Sequence, residues 1–207
     1  LLERMNSDMA GRPQLIRGDS QLLFGGMGRL TENSVINIKN KSHSVTAEVE
    51  IPASGAQGVI IAQGGAVGGG GWSLYAHKGK LKYCYNLVGR QHFYIESANT
   101  LPAGTHQVRM EFAYDGGGIA KGGNVSLYAD GQKAGEGRVD RTVPFVFSFD
   151  DGCDVGRDTG LPVSQDYNVH GNAFNGEVTW VQIDVGKEDF DHLISHEERL
   201  NLAMMRQ

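Results

Sequence analysis

Five aspartates crowd one stretch of this sequence, Asp150, Asp151, Asp154, Asp158 and Asp166, and glycines stand between them at 152, 156 and 160. A hard cation such as calcium is held by several oxygens on a bent, glycine-permitted loop, so this stretch is the best local candidate for a metal. The Asp-x-[Asp/Asn]-x-[Asp/Asn]-Gly order of a dedicated calcium loop is absent, and a solvated acidic loop partly neutralised by Arg157 is the competing reading. A second chemistry is stacking on sugars, for which Trp72, Tyr75, Tyr83, Tyr85, Phe93 and Tyr94 offer aromatic faces on neighbouring segments. Trp72 and Tyr75 are the candidate ligand-binding pair. The same pattern places Trp72, Tyr83 and Tyr85 on faces shared with Leu74 and Leu81, which is the signature of a core. Nucleophilic chemistry has little to work with: there is no Gly-x-Ser-x-Gly and no His-Glu-x-x-His, and the seven histidines are scattered. Only His192 and His196 share a ligand-like spacing, and a helix start between them argues for surface residues. The glycine-rich run from Gly64 to Gly71 joins strand to strand and lacks the lysine of a phosphate-binding loop, so it reads as a flexible connection.

The elements that must position these side chains alternate with period two, apolar in and polar out. Val45, Ala47, Val49 and Ile51 form one such row, and Val108, Met110, Phe112 and Tyr114 form another. Leu74 and Ala76 lead through Lys78-Gly79 to Leu81, Tyr83 and Tyr85. Val125, Leu127 and Ala129 lead through Asp130-Gly131, a dipeptide that supplies the positive φ a tight hairpin turn demands. Phe145, Phe147 and Phe149 read as a further inward row, Val178 to Val185 as a late strand, and Val59-Ile60-Ile61 as a short central one. About ten segments between residues 35 and 186, separated by Gly, Asn and Asp, imply two packed antiparallel sheets. Toward the end, Ser195 and Glu198 have the spacing of a capping box, with Leu200, Ala203 and Met204 at helical intervals, so a short helix is expected over about 196–206.

The chain has 207 residues, of which 30 are glycine and only 5 proline, an excess that points to tight turns rather than linkers or collagen. Acidic residues outnumber basic ones by 24 to 19, giving a net charge of −5 and no basic stripe, which argues against nucleic acid as a partner. No apolar run is long enough to span a membrane. Cys84 and Cys153 are too few and too far apart for a disulfide framework or a metal cluster. Asn40-Lys41-Ser42 and Asn124-Val125-Ser126 match the glycosylation pattern. The opening Leu1-Leu2-Glu3-Arg4-Met5 suggests a piece of a larger protein.

Several runs of residues carry a more specific likeness: Glu3-Arg4-Met5-Asn6, Ala10 to Pro13, Gln21 to Met27, Asn37 to His43, Gly104 to Val108, Gly160 to Ser164 and His192 to Ser195. Together they resemble the C-terminal region of large microbial arylsulfatases. The resemblance implies a parent enzyme that hydrolyses sulfate esters through a formylglycine and a divalent cation, both in an N-terminal sulfatase domain that this chain lacks. It implies a concanavalin-A-like or laminin-G-like jelly roll here, with calcium or glycan sites on sheet faces and loop rims; within Cys153 to Tyr167 the candidate metal ligands are Asp154 and Asp158, neither of them matched to a family site. Cys153-Asp154-Val155-Gly156-Arg157 has the Cys-to-Arg spacing of the formylglycine motif, but Val155 stands where that family has proline or alanine. No catalytic residue is therefore assigned. The expected organisation is a linker or the end of an upstream domain over 1–18, an all-β two-sheet antiparallel sandwich over 19–186, and a tail with a short helix over 187–207. The expected function is an accessory domain that packs beside the sulfatase domain or forms an oligomer contact. The alternative is an autonomous lectin-like module holding a glycan at Trp72 and Tyr75.

Overall fold

Alternating side chains settle into two antiparallel sheets. The computed structural model describes residues 15–65 and 70–186. Its strands are β1 (Ser20–Phe24), β2 (His43–Ile51), β3 (Gly58–Gly64), β4 (Gly70–His77), β5 (Lys80–Leu87), β6 (Gln91–Thr100), β7 (Gly104–Tyr114), β8 (Gly123–Ala129), β9 (Gln132–Val139), β10 (Cys153–Val155) and β11 (Glu177–Val185). One sheet has the order β1-β11-β2-β7-β8-β9 and the other β10-β3-β4-β5-β6. Among the described residues the only helical turn is Glu32–Ser34, and no helix is long and apolar enough to cross a membrane. The expected C-terminal helix, with Leu200 and Met204, lies outside the described residues, as do His192 and His196.

The rows read from alternation on β2, β4, β5, β7 and β8 face inward as the pattern requires. Val45, Ala47 and Val49 from β2 meet Val108, Met110 and Phe112 from β7 in one core with Trp72, Leu74, Tyr83 and Leu81 from the opposite sheet. Asp130 and Gly131 have φ of 48° and 75° and turn β8 into β9, as the dipeptide predicts.

Two expectations are corrected. The run Phe145 to Phe149 forms no strand: Phe147 is buried, while Phe149 stands 63% exposed. Pro144 has no amide hydrogen to give a ladder, and the chain here is irregular. Gly64, Gly70 and Gly71 belong to strands rather than to a loose connection, because the backbones meet too closely for side chains; a Cβ on Gly71 would lie 2.3 Å from the Gln63 carbonyl oxygen.

β3 is buried from end to end, as is β4 up to its last residue, His77, so the five-stranded sheet is covered on both faces at these two strands. Its outer cover is the segment 157–172. Val163 and Tyr167 from that segment pack on Val59, Ala62, Tyr75 and Cys84. Polar ties hold the cover down: Tyr75 donates to Asp166 at 2.5 Å, Lys82 pairs with Asp166 at 2.6 Å, and Asn86 donates to the Val163 carbonyl at 3.2 Å.

Two buried polar groups give testable consequences. The Tyr83 hydroxyl sits in the core with no hydrogen-bond partner among the described residues. An orphaned buried hydroxyl costs about 1–3 kcal/mol. Tyr83→Phe is therefore expected to raise stability by about 1 kcal/mol in urea unfolding, and a loss of stability would contradict this placement. His43 stacks on Phe112 at 5.1 Å, and burial pushes its pKa down to about 4. The unfolded chain takes up a proton near pH 6.5 while the folded chain does not, so stability falls as pH drops from 6.5 and levels off near 4. The loss should reach roughly 3 kcal/mol, and His43→Phe should remove that part of the slope.

Candidate functional site

In the acidic stretch, Asp154 and Asp158 form a hydrogen-bonded hub. Asp154 on β10 accepts from the Arg29 amide at 2.6 Å, from the Thr159 amide at 2.8 Å and from the Thr159 hydroxyl at 2.7 Å. Asp158 accepts from the Val163 amide at 3.1 Å and the Tyr167 hydroxyl at 2.8 Å. Burial pushes the Asp158 carboxyl above the usual range, although the Val163 amide and Tyr167 hydroxyl act against that rise. Both carboxylates are buried and turned into loop-fastening hydrogen bonds. Among the described residues no group of three or more His, Cys, Asp or Glu side chains is arranged to hold a metal.

Trp72 and Tyr75, expected as a sugar platform, are 0% and 1% exposed. Trp72 lies between the sheets and donates to Gln63 at 3.0 Å, whereas Tyr75 lies beneath the segment 157–172. Neither ring presents a face for stacking in this structure. The sequence shows that these aromatics alternate onto opposite faces but does not show that a loop seals the outer one. Cys153, the first residue of the formylglycine-like spacing, is fully buried in the core, and Cys84 is buried with its thiol pushed up to about 12. Such thiols are poor nucleophiles. Asn40 has its amide engaged by the Pro144 carbonyl and the Ala120 amide, while Asn124 stands exposed on β8.

An end of the sandwich carries a cleft of about 220 Å³ between the stretch 29–39 and the irregular stretch 145–152. Its floor is an ion pair: Lys39 Nζ lies 2.5 Å from Glu32 Oε1 and 4.8 Å from the centre of the Phe147 ring. The Phe147 amide adds a bond to the same oxygen at 3.3 Å. Glu32 Oε2 is buried and has no partner among the described residues. Asn33 and Asn37 add amides to the wall, and the exposed Phe149 ring forms a rim. Arg29 and Asp150, also on the cleft, make no side-chain hydrogen bond or ion pair among the described residues.

These residues escape a reading by periodicity because they lie outside strands. Alternation places Phe149 in an inward row, and the neighbouring Pro144, which cannot donate to a ladder, is a local sign against it.

No protein-family model matches the chain, and no curated protein sequence matches it. Solved structures do match in fold. The chain is similar to the CBM40 module of the Ruminococcus gnavus IT-sialidase bound to α2,3-sialyllactose, at 14% identity and a TM-score of 0.52, over 86% of this chain and 96% of that one. It is similar to the leech intramolecular trans-sialidase at 12% identity and a TM-score of 0.50, over 83% of this chain and 26% of that one. Domains LG4-5 of the mouse laminin α1 chain match at 14% identity and a TM-score of 0.49, over 84% of this chain and 41% of that one. The fold is thus a two-sheet antiparallel jelly roll of the concanavalin-A-like kind.

Removing the hub carboxylate should loosen the cleft wall, because Asp154 ties Arg29 to Thr159. Asp154→Ala is expected to cost about 2–3 kcal/mol in denaturant unfolding. The loss should be the same in excess calcium and in chelator. A wild-type protein that melts higher in calcium, with the difference erased by this substitution, would overturn the hydrogen-bonding role.

Proposed function

We propose that this chain is a non-catalytic glycan-binding module and that its ligand lies in the cleft between residues 29–39 and 145–152. The observation that carries the reading is the pairing, in one concave site, of the exposed Phe149 ring with amide groups and the buried, unpartnered Glu32 oxygen. A sugar has an apolar face of C–H groups that stacks on an aromatic ring and a rim of hydroxyls that need planar acceptors and donors. Concave sites with apolar lining and a few convergent polar groups are the usual form of a small-ligand site. A ligand hydroxyl donating to Glu32 Oε2 would relieve an oxygen whose isolation is costly.

Support also comes from the fold, since 96% of a module bound to sialyllactose is spanned by this chain at 14% identity. Fold likeness grants no ligand by itself, so the argument rests on the cleft. Its charges are Arg29 and Lys39 against Glu32, Asp150 and Asp151, which leaves no net positive field. Neutral oligosaccharides are favoured over sialylated or sulfated ones on that ground.

The accessory-domain reading, with a sulfatase domain as partner, has the sequence resemblance behind it. The surface it would use is β1, where Leu22 and Phe24 are 50% and 55% exposed while Leu23 is buried. Charge and geometry at the cleft do not require that partner.

The test is a glycan array carrying neutral, sialylated and sulfated sugars, followed by calorimetry on the hits. Wild type should bind neutral glycans, and Phe149→Ala should weaken them at least tenfold, about 1.4 kcal/mol, with unfolding unchanged. Binding that survives Phe149→Ala, or an absence of binding across the array, would contradict the reading.

A further inference from the structure

A second groove lies along the same edge of the sandwich, lined by Phe24, Gly26, Gly156, Arg157, Glu177 and Thr179 among others. One strap of chain separates it from the cleft. Residues 26–30 are laced to β10: the Gly26 amide donates to the Val155 carbonyl at 3.3 Å and the Val155 amide to the Met27 carbonyl at 2.8 Å. At the other end, Leu30 and Cys153 exchange backbone bonds of 3.0 and 2.8 Å. The cleft begins at Arg29 and Gly152 and the groove at Gly26 and Val155. The two sites are therefore about 10 Å apart along a strand rising roughly 3.3 Å per residue. That span exceeds one pyranose ring and suits a short linear oligosaccharide.

The two sites repeat one chemistry. Phe149 and Arg29 serve the cleft, and Phe24 and Arg157 serve the groove. Both phenylalanines are exposed, and neither guanidinium is paired with a carboxylate among the described residues. Each site thus offers a stacking face beside a planar cluster of donors. The groove floor is bare backbone. Gly26 and Gly156 have φ of 82° and 86°, and a Cβ built on either would meet no atom within 4 Å. Under the strap, Asp154 holds the Arg29 amide, so the two sites are fixed relative to each other.

We propose that the groove is a second subsite and that the module recognises a neutral oligosaccharide of three or more residues running from the cleft, across the strap, to Phe24 and Arg157. This rests on the glycan-binding reading of the cleft. It adds what that reading leaves open, namely ligand length and direction.

The experiment is calorimetry with malto-, cello-, xylo-, manno- and chito-oligosaccharides of one to six residues, on wild type and on the Phe24→Ala, Arg157→Ala and Phe149→Ala variants. Both groove side chains are exposed, so their loss leaves the core intact. In a series that binds, affinity should climb at least tenfold between the disaccharide and the tetrasaccharide. Phe24→Ala and Arg157→Ala should each lower tetrasaccharide affinity fivefold or more and leave the disaccharide unchanged, whereas Phe149→Ala should weaken every length. Binding independent of chain length, or groove variants that bind the tetrasaccharide as wild type does, would overturn the second subsite and leave the cleft standing. Failure of every series to bind would overturn both.

Discussion

A sheet that is apolar on both faces cannot end at solvent on either side, and that constraint organises this molecule. β3 and β4 bury nearly all their residues, so one face of their sheet packs on the six-stranded sheet and the other needs a separate cover. The segment 157–172 supplies it through Val163 and Tyr167. Apolar contact alone would leave this irregular segment free to slide. The Tyr75–Asp166–Lys82 ties and the Asp158 bonds to Val163 and Tyr167 fix its register. Burial pushes the Asp166 carboxyl up, but the Lys82 ammonium and the Tyr75 hydroxyl outweigh it and hold the group below its ordinary range. It therefore stays ionised at neutral pH and keeps its hold on both partners.

Sealing the outer face has a functional consequence. Aromatic rings that could have served as a sugar platform become core, and the proposed recognition site lies instead at the end of the sandwich. There the chain between β1 and β2, regular only in the turn Glu32–Ser34, and the irregular chain between β9 and β10 leave a cleft. Asp154 links the two layers of this argument. It fastens Arg29 on the cleft side and Thr159 at the start of the cover, so the same carboxylate steadies the cover and the cleft wall.

The architecture was legible because period-two alternation reports directly on which face of a sheet is buried. Val45 to Ile51 and Val108 to Tyr114 behave as their pattern dictates, and Asp130-Gly131 turns where positive φ is cheapest. The site was not legible for the same reason. Alternation says that Tyr75 and Trp72 face opposite ways, but whether a face meets water depends on a loop some ninety positions away. Likewise the aspartates of 150–166 look like cation ligands in one dimension. Only the fold reveals that amides of Arg29, Thr159 and Val163 donate to Asp154 and Asp158. Phe149 misled in the opposite sense, since a row of phenylalanines at strand spacing placed an exposed residue in the core.

The central claim is that the sealed face is structural and the end cleft receives the ligand. The most direct measurement is the backbone amide NMR spectrum of the protein titrated with the glycan that binds it best. The account predicts that shifts concentrate at residues 29–39 and 145–152 and leave the amides of β4, β5 and the segment 157–172 in place. Shifts centred on Tyr94, Gln165 and Asp166, with the cleft unmoved, would mean that the cover opens to admit the ligand and would contradict the account.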